Sequence, residues 1–321
     1  MFRNIPPILT AKQLLDQSIR RTKKIQIHDR DKRYEIKKLI IARTDTFITD
    51  LTTRLESYVK HFPSLDNLPL FYQEIIDIKI DTDKLKKSLG AIDWARKTVL
   101  MVYSTQGSAL VKSGNVEFLK QKQKEIYGRV SSIVKQVDKN LVFLSGAQKI
   151  LRTFPDIEDI PTVVIAGYPN VGKSSLIRRL SAAKPEVAQY PFTTKQIYVG
   201  HIVHTVRYEK KQYQIIDTPG LLDRPLSQRN NIEKQAIAAL RHLADLIVFL
   251  FDPSETSGYH MSDQRMMLET IKELFCDVPF IIVENKVDII QTDSANRKIS
   301  CSTGVGIEEL RQDILSVLDR L

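Results

Sequence analysis

Gly167-Tyr168-Pro169-Asn170-Val171-Gly172-Lys173-Ser174 sets two glycines around a turn and follows them with a lysine and a hydroxyl. Glycines so placed let backbone N–H groups close around a polyphosphate, with Pro169, Asn170, Val171 and Ser175 lining the same loop. Lys173 then reaches the β- and γ-phosphates, and Ser174 offers its hydroxyl to Mg²⁺. This pattern alone says nucleotide without saying which. Asp217-Thr218-Pro219-Gly220 puts the Asp217 carboxylate where it can join the metal's water shell, and the Gly220 N–H where it can meet a γ-phosphate. Asn285-Lys286-Val287-Asp288 supplies the base. A carboxylate only accepts hydrogen bonds, so Asp288 can take two from the N1–H and exocyclic amine of guanine, a donor pair that adenine lacks. Asn285 and Lys286 buttress that loop and cover the base. Taken in that order, the three strings predict a pocket for GTP and GDP with Mg²⁺.

Two further pieces belong to the same cycle. In Tyr190-Pro191-Phe192-Thr193-Thr194, Thr194 is expected to close the metal shell once a γ-phosphate is present, while Tyr190 and Phe192 anchor the surrounding loop. Ser300-Cys301 follows a short strand at 297–299, where a backbone N–H can meet the base carbonyl; Cys301 is then chosen for size. For hydrolysis, Lys173, Thr194 and Gly220 are the expected catalytic groups. Position 221 is Leu, which cannot orient an attacking water as glutamine does there in Ras-type enzymes. Unassisted turnover should therefore be slow and wait on groups from a partner. Arg224 and Arg229 read as solvated surface arginines rather than fingers.

These side chains need a scaffold that delivers them to one edge. Thr162-Val163-Val164-Ile165-Ala166 is a β-branched apolar run feeding the glycine loop, and 175–180 follows as helix. Ile215-Ile216 precedes Asp217, 246–251 precedes Asp252, and 280–283 precedes Asn285, so each polar motif sits where an apolar strand ends. Segments 231–243, 262–275 and 307–318 carry apolar residues at three- and four-residue spacing, as covering helices do. The expected fold is α/β, a P-loop domain with a mostly parallel, doubly wound sheet, over residues 159–321.

Residues 1–158 read instead as an all-α helical bundle. One apolar stripe runs through Ile36, Ile40, Ile48, Leu51, Leu55, Val59 and Phe62 until Pro63 stops it; a second follows Leu85, Leu89, Ile92, Val99 and Val102. A third extends from Leu119 through Ile126, Val130, Ile133, Val137, Leu141 and Leu144 to Leu151. Stripes of that length need partners, and an antiparallel bundle buries them with Trp94 in the core. The stretch 154–161, two prolines around acidic residues, reads as a short linker. Residues 1–160 hold 29 Lys and Arg against 19 Asp and Glu, whereas the remainder holds 19 of each. The excess concentrates at Arg20, Arg21, Lys23, Lys24, Arg30, Lys32, Arg33, Lys37, Lys38 and Arg43. With few interleaved aromatics and no base-reading motif, the expected ligand is the phosphates of folded RNA, bound by shape and weakened by salt.

The sequence resembles the Nog family, nucleolar GTP-binding proteins in the Obg-like branch of translation-factor GTPases. The likeness runs through Pro191-Phe192-Thr193-Thr194-Lys195, Val199-Gly200-His201 and Asp217-Thr218-Pro219-Gly220-Leu221-Leu222-Asp223, and includes 63–72 and 89–95. It implies a GTPase switch that assembles the large ribosomal subunit, with large-subunit ribosomal RNA and the pre-ribosomal particle as partners. Asn170 matches an asparagine that binds K⁺ in some related GTPases. Eukaryotic relatives continue well past the GTPase domain, so a chain stopping at Leu321 is expected to be a compact, archaeal-type member. Two other functions remain open: a GTP-dependent RNA chaperone with negligible hydrolysis, and a signalling or tRNA-modification GTPase.

Several classes are not expected. No run approaches the ~18 apolar residues of a membrane span, and the first seven residues lack a secretory core, so a cytoplasmic protein is expected. Cys276 and Cys301 form no metal or redox spacing. DNA is not an expected partner, and the chain is expected to be monomeric away from the ribosome.

Overall fold

The computed structural model describes residues 2–154, 156–189, 196–206, 209–217, 222 and 231–320. Helix α1 (Ala11–Lys23) starts at Thr10, whose hydroxyl accepts from the Gln13 N–H while the Gln13 side chain accepts from the Thr10 N–H. Helix α2 (Lys32–His61) starts at Asp31 and ends at Phe62, where Pro63 forbids another turn. Helices α3 (Leu70–Ile80), α4 (Thr82–Lys112), α5 (Val116–Gln136) and α6 (Asp138–Leu151) follow.

By packing, the chain divides into two units. One holds Met1–Asn67 and Ile80–Arg152; the other holds Leu68–Lys79 and Thr153–Leu321. This division differs from the expected blocks 1–158 and 159–321. Helix α3, all but its last residue, goes with the second unit, where the Tyr72 hydroxyl accepts from the Ile157 N–H at 2.7 Å and donates to the Ile157 carbonyl. Phe71, Tyr72, Ile75 and Ile76 are buried on that helix, and Phe154 and Ile157 are buried in what read as a linker. A pair of bonds to one buried peptide, with apolar burial around it, holds the segment in place. The charge split between the packed units is sharper than between the sequence halves. The first unit carries 28 Lys and Arg against 14 Asp and Glu, and the second 20 against 24.

In the first unit α2 packs on α1, α4 and α5, and α4 on α5 and α6, around Leu14, Leu51, Leu55, Ile92, Val99 and Leu144. The third stripe is two helices, not one. Its apolar spacing continues through Val137, but the chain leaves helical geometry there, and Asp138, the first residue of α6, accepts the Ala11 N–H at 2.7 Å. Trp94 is not core; it is 48 % exposed, because the buried seam of α4 runs through Ile92, Ala95 and Val99 and position 94 falls outside it. Asp50 is a buried hub of this unit, bonded to Ser18, Arg21 and Arg54.

The second unit is built on a seven-stranded sheet. Its strands are β1 (Thr162–Ala166), β2 (Glu186–Gln189), β3 (Gln196–Val206), β4 (Glu209–Asp217), β5 (Leu246–Phe251), β6 (Phe280–Glu284) and β7 (Arg297–Lys298), in the order β2-β3-β4-β1-β5-β6-β7. The pairs from β4 to β7 are parallel, and β2-β3-β4 is antiparallel, so the sheet is mixed and mostly parallel. Helices α7 (Lys173–Leu180), α8 (Asn231–Ala239), α9 (Met261–Leu274) and α10 (Ile307–Leu318) complete the unit. Central β1 and β5 are buried at every residue, as strands covered on both faces must be. No helix among the described residues is long and apolar enough to cross a membrane.

Candidate functional site

The parallel strands β1, β5 and β6 deliver their following loops to one edge of the sheet, the side where open α/β sheets take ligands. Directly after β1 the chain needs glycine twice. Gly167 has φ 139°, and a Cβ there would lie 2.6 Å from the Leu250 carbonyl oxygen on β5. Gly172 has φ 109°, and its Cβ would lie 2.1 Å from Asn285 Nδ2. Between them Asn170 turns the loop at φ 63° and is exposed, with Pro169 half-buried and Val171 buried beside it. α7 then opens with Lys173, whose buried ammonium donates to the carbonyls of Gly167 and Tyr168 at 2.7 and 2.8 Å. The loop is thus curled round a positive charge. Ser175 is exposed in the first turn of α7.

Ser174 Oγ donates to Asp217 Oδ2 at 2.6 Å, and Asp217 is fully buried at the end of β4. A hydroxyl and a carboxylate oxygen in contact form a hard, all-oxygen donor pair, which fits Mg²⁺.

Asn285 joins the third motif to the first. Its Nδ2 donates to the Val171 carbonyl at 2.8 Å and its Oδ1 accepts the Cys301 N–H at 3.0 Å, so one buried side chain ties together three loops. Asp288 stands exposed at the rim. Ser300 is fully buried, and its hydroxyl accepts the Thr303 N–H. Burial pushes the Cys301 thiol up to about 11, against the opposing pull of the Arg179 charge, which makes it a space-filling group and not a nucleophile.

The structure therefore brings Gly167, Pro169, Asn170, Val171, Gly172, Lys173, Ser174, Ser175, Asp217, Asn285, Lys286, Asp288, Ser300 and Cys301 to one edge of one sheet. Thr194 and Gly220 lie outside the described residues, as do Tyr190, Phe192, Leu221, Arg224 and Arg229. Two side chains at this edge escaped the sequence reading. Arg179 on α7 donates to the carbonyls of Cys301 and Ser302, fixing the last loop from below. Asp252, noted only as the residue ending a strand, accepts the Lys286 ammonium at 2.6 Å. A carboxylate directly after an apolar strand at the ligand edge was the signal available for it.

Comparison with known proteins matches residues 2–158 to the NOG1 N-terminal helical domain and residues 162–286 to the 50S ribosome-binding GTPase family. An uncharacterized protein of Methanocaldococcus jannaschii is 38 % identical over 91 % of this chain and 82 % of its own length. Nucleolar GTP-binding protein 1 of Drosophila melanogaster is 34 % identical over 90 % of this chain and 44 % of its own length, and that of Candida glabrata 32 % identical over 92 % and 46 %. The chain thus spans about half the length of these two named relatives.

Proposed function

The chain belongs to the nucleolar GTP-binding protein 1 family, and from that premise we propose that it is a GTP-operated switch in assembly of the large ribosomal subunit. In this reading it docks on the precursor particle through the basic helical unit while GTP-bound and leaves after hydrolysis. The observation that carries the nucleotide half is the Asn285 side chain, which spans from the phosphate loop to the Cys301 loop and makes one pocket of separate motifs. The charge of the first unit supports the RNA half.

Each residue then has a task. The N–H groups of 167–174 and the Lys173 ammonium hold the phosphates, and Asp288 selects guanine over adenine. Ser174 and Asp217, with Thr194, would hold Mg²⁺, which when bound neutralises charge on the β- and γ-phosphates. Gly220 offers its N–H to the γ-phosphate, and Asn170 is assigned to a K⁺ ion at the same phosphates. Leu221 supplies no hydrogen bond to water, so the particle itself is expected to accelerate turnover. Phosphate release then frees the switch loops, and a difference in particle affinity between the two nucleotide states gives the cycle direction.

Single-turnover hydrolysis of GTP with and without precursor particles tests this reading, run in K⁺ and in Na⁺. Acceleration by the particle supports the switch, and absence of turnover under every condition would leave a GTP-dependent chaperone in its place. Crosslinking to RNA in cells, followed by sequencing, should recover large-subunit ribosomal RNA; recovery of transfer RNA or of none would overturn the partner assignment.

A further inference from the structure

After β5 the chain runs Asp252-Pro253-Ser254-Glu255-Thr256-Ser257-Gly258-Tyr259-His260 and folds into a knot around one carboxylate. Asp252 is fully buried. Its Oδ1 accepts from the Ser254 N–H and hydroxyl, and its Oδ2 from the Ser257 N–H at 2.8 Å and the Thr256 hydroxyl at 3.3 Å. Gln264 on α9 grips its backbone from both sides, accepting the Asp252 N–H at 2.8 Å and donating to the Asp252 carbonyl at 3.1 Å. A carboxylate this buried must be paired, since desolvation otherwise forces it neutral. Burial does oppose its ionisation, yet the bonds from Lys286, Ser254 and Ser257 outweigh it and hold the carboxyl below the ordinary range.

One of those partners comes from outside the knot. The Lys286 ammonium reaches Asp252 Oδ2 at 2.6 Å and the Thr256 hydroxyl at 2.8 Å. Lys286 also has φ 66°, a backbone region that side chains other than glycine rarely adopt. The turn carrying the base-reading residues is therefore strained at its second residue, and that residue's side chain is moored to a different loop. At the far end of the same loop, Tyr259 packs against Tyr168 of the phosphate loop with ring centroids 4.2 Å apart.

We infer that Asp252, assisted by Thr256, is a positioning residue for the guanine base. By fixing the Lys286 ammonium it lays the alkyl stem of Lys286 along the base site and holds the 285–288 turn so that Asp288 meets the base edge. The inference rests on the guanine-nucleotide reading of this pocket. It assigns the 252–260 loop, which carries none of the three motifs, a part in nucleotide retention. A carboxylate that merely stabilised its own loop would act on folding and not on the base.

The test is stopped-flow release of fluorescently labelled GDP and GTP from the full chain carrying Asp252→Asn, Thr256→Val, Lys286→Met or Asp252→Asn with Lys286→Met. Loss of a charged hydrogen-bond partner predicts release about tenfold faster or more for Asp252→Asn, and loss of a neutral hydroxyl about threefold for Thr256→Val. Both nucleotides should speed up by the same factor, because the phosphate side is untouched. The double variant should be no worse than Lys286→Met alone, since Asp252 acts through that lysine. Wild-type release from Asp252→Asn, a changed GTP-to-GDP ratio, or losses that multiply in the double variant would each overturn the inference. If Asp252→Asn does not fold, the exposed Thr256→Val decides, unchanged release counting against. A wild-type chain that holds ATP as firmly as GTP would instead sink the pocket's guanine reading, which separates the two failures.

Discussion

Replacing Asn285 by alanine tests whether the nucleotide pocket is pre-assembled by the protein or assembled by its ligand. The side chain makes two hydrogen bonds, to the Val171 carbonyl at 2.8 Å and from the Cys301 N–H at 3.0 Å, and is 2 % exposed. Each neutral bond is worth about 1 kcal/mol net, and a buried group left unpaired costs about 1–3 kcal/mol, so the variant should lose about 2–4 kcal/mol. Both bonds join protein groups to one another, so the loss belongs first to the fold. For a domain of this size about 1 kcal/mol moves the melting midpoint by roughly 2–4 °C, so nucleotide-stripped Asn285→Ala should melt about 4–8 °C lower or more. The detached loops must then be reassembled on binding. Calorimetry should show affinities for GTP and GDP falling together by about tenfold or more, with the preference over ATP kept. An unchanged midpoint with weakened nucleotide binding would refute the reasoning, because Asn285 would then be a ligand contact and not a tie between loops. A collapse of the GTP preference alone would refute it equally.

Asp288→Ala should do the reverse, leaving the melting midpoint in place while the preference for GTP over ATP falls about a hundredfold, read by competition against labelled GDP. Tyr72→Phe keeps the ring but removes both bonds to Ile157, so the second unit should lose about 1–2 kcal/mol in denaturant unfolding, with the first unit unaffected. Asp50 is buried, which favours its neutral form, but bonds from Ser18 and Arg21 and the charge of Arg54 prevail and depress its pKa. A depressed carboxyl contributes stability above its unfolded pKa of about 4 and loses it as the pH falls through the folded value. Acid unfolding of the first unit should therefore be blunted in Asp50→Asn relative to its own neutral-pH stability. Changing Lys23, Lys24, Lys32 and Arg33, all exposed, to glutamine should lower the slope of log affinity for ribosomal RNA against log salt by roughly 0.7–0.9 for every phosphate these side chains had neutralised. An unaltered slope would move the RNA-binding surface elsewhere.

What was legible in the sequence was local. β1 at Thr162–Ala166 and α10 at Ile307–Leu318 match their apolar runs end for end, because a strand buried on both faces and an amphipathic helix each write their period into neighbouring residues. The motif loops were visible for the same reason, each lying where such a run stops. What failed was set by partners distant in sequence. The apolar pattern runs unbroken through Val137, and the end of α5 there goes with a bond between Asp138 and the Ala11 backbone, 127 residues away. Trp94 reads as core by residue type, whereas its place on α4 is decided by which neighbours take Ile92 and Ala95. Nothing within 68–79 says that its partner is Ile157, and nothing within 252–260 says that its carboxylate waits for Lys286.

Packing of residues 68–79 with the second unit also shifts the charge balance. Divided by halves of the sequence, the charge is an excess of ten beside a neutral domain; divided by what packs together, it is +14 beside −4. A unit of −4 that concentrates nucleotide triphosphate cannot be doing so through its overall field, which opposes the approach of an anion. Attraction must be local, through the N–H groups of 167–174 and Lys173, whose reach dies within about 10 Å at 0.1 M salt. On the proposed function, RNA phosphates would be drawn to the basic unit and not to this one. The two anionic ligands of the proposed function would thereby be sorted, a small one by a curled loop and a large one by a basic unit. Reversing the sign of the second unit with surface lysines, away from the pocket, should accordingly let RNA displace labelled GDP more readily than it does from the natural chain, read by fluorescence competition at low salt.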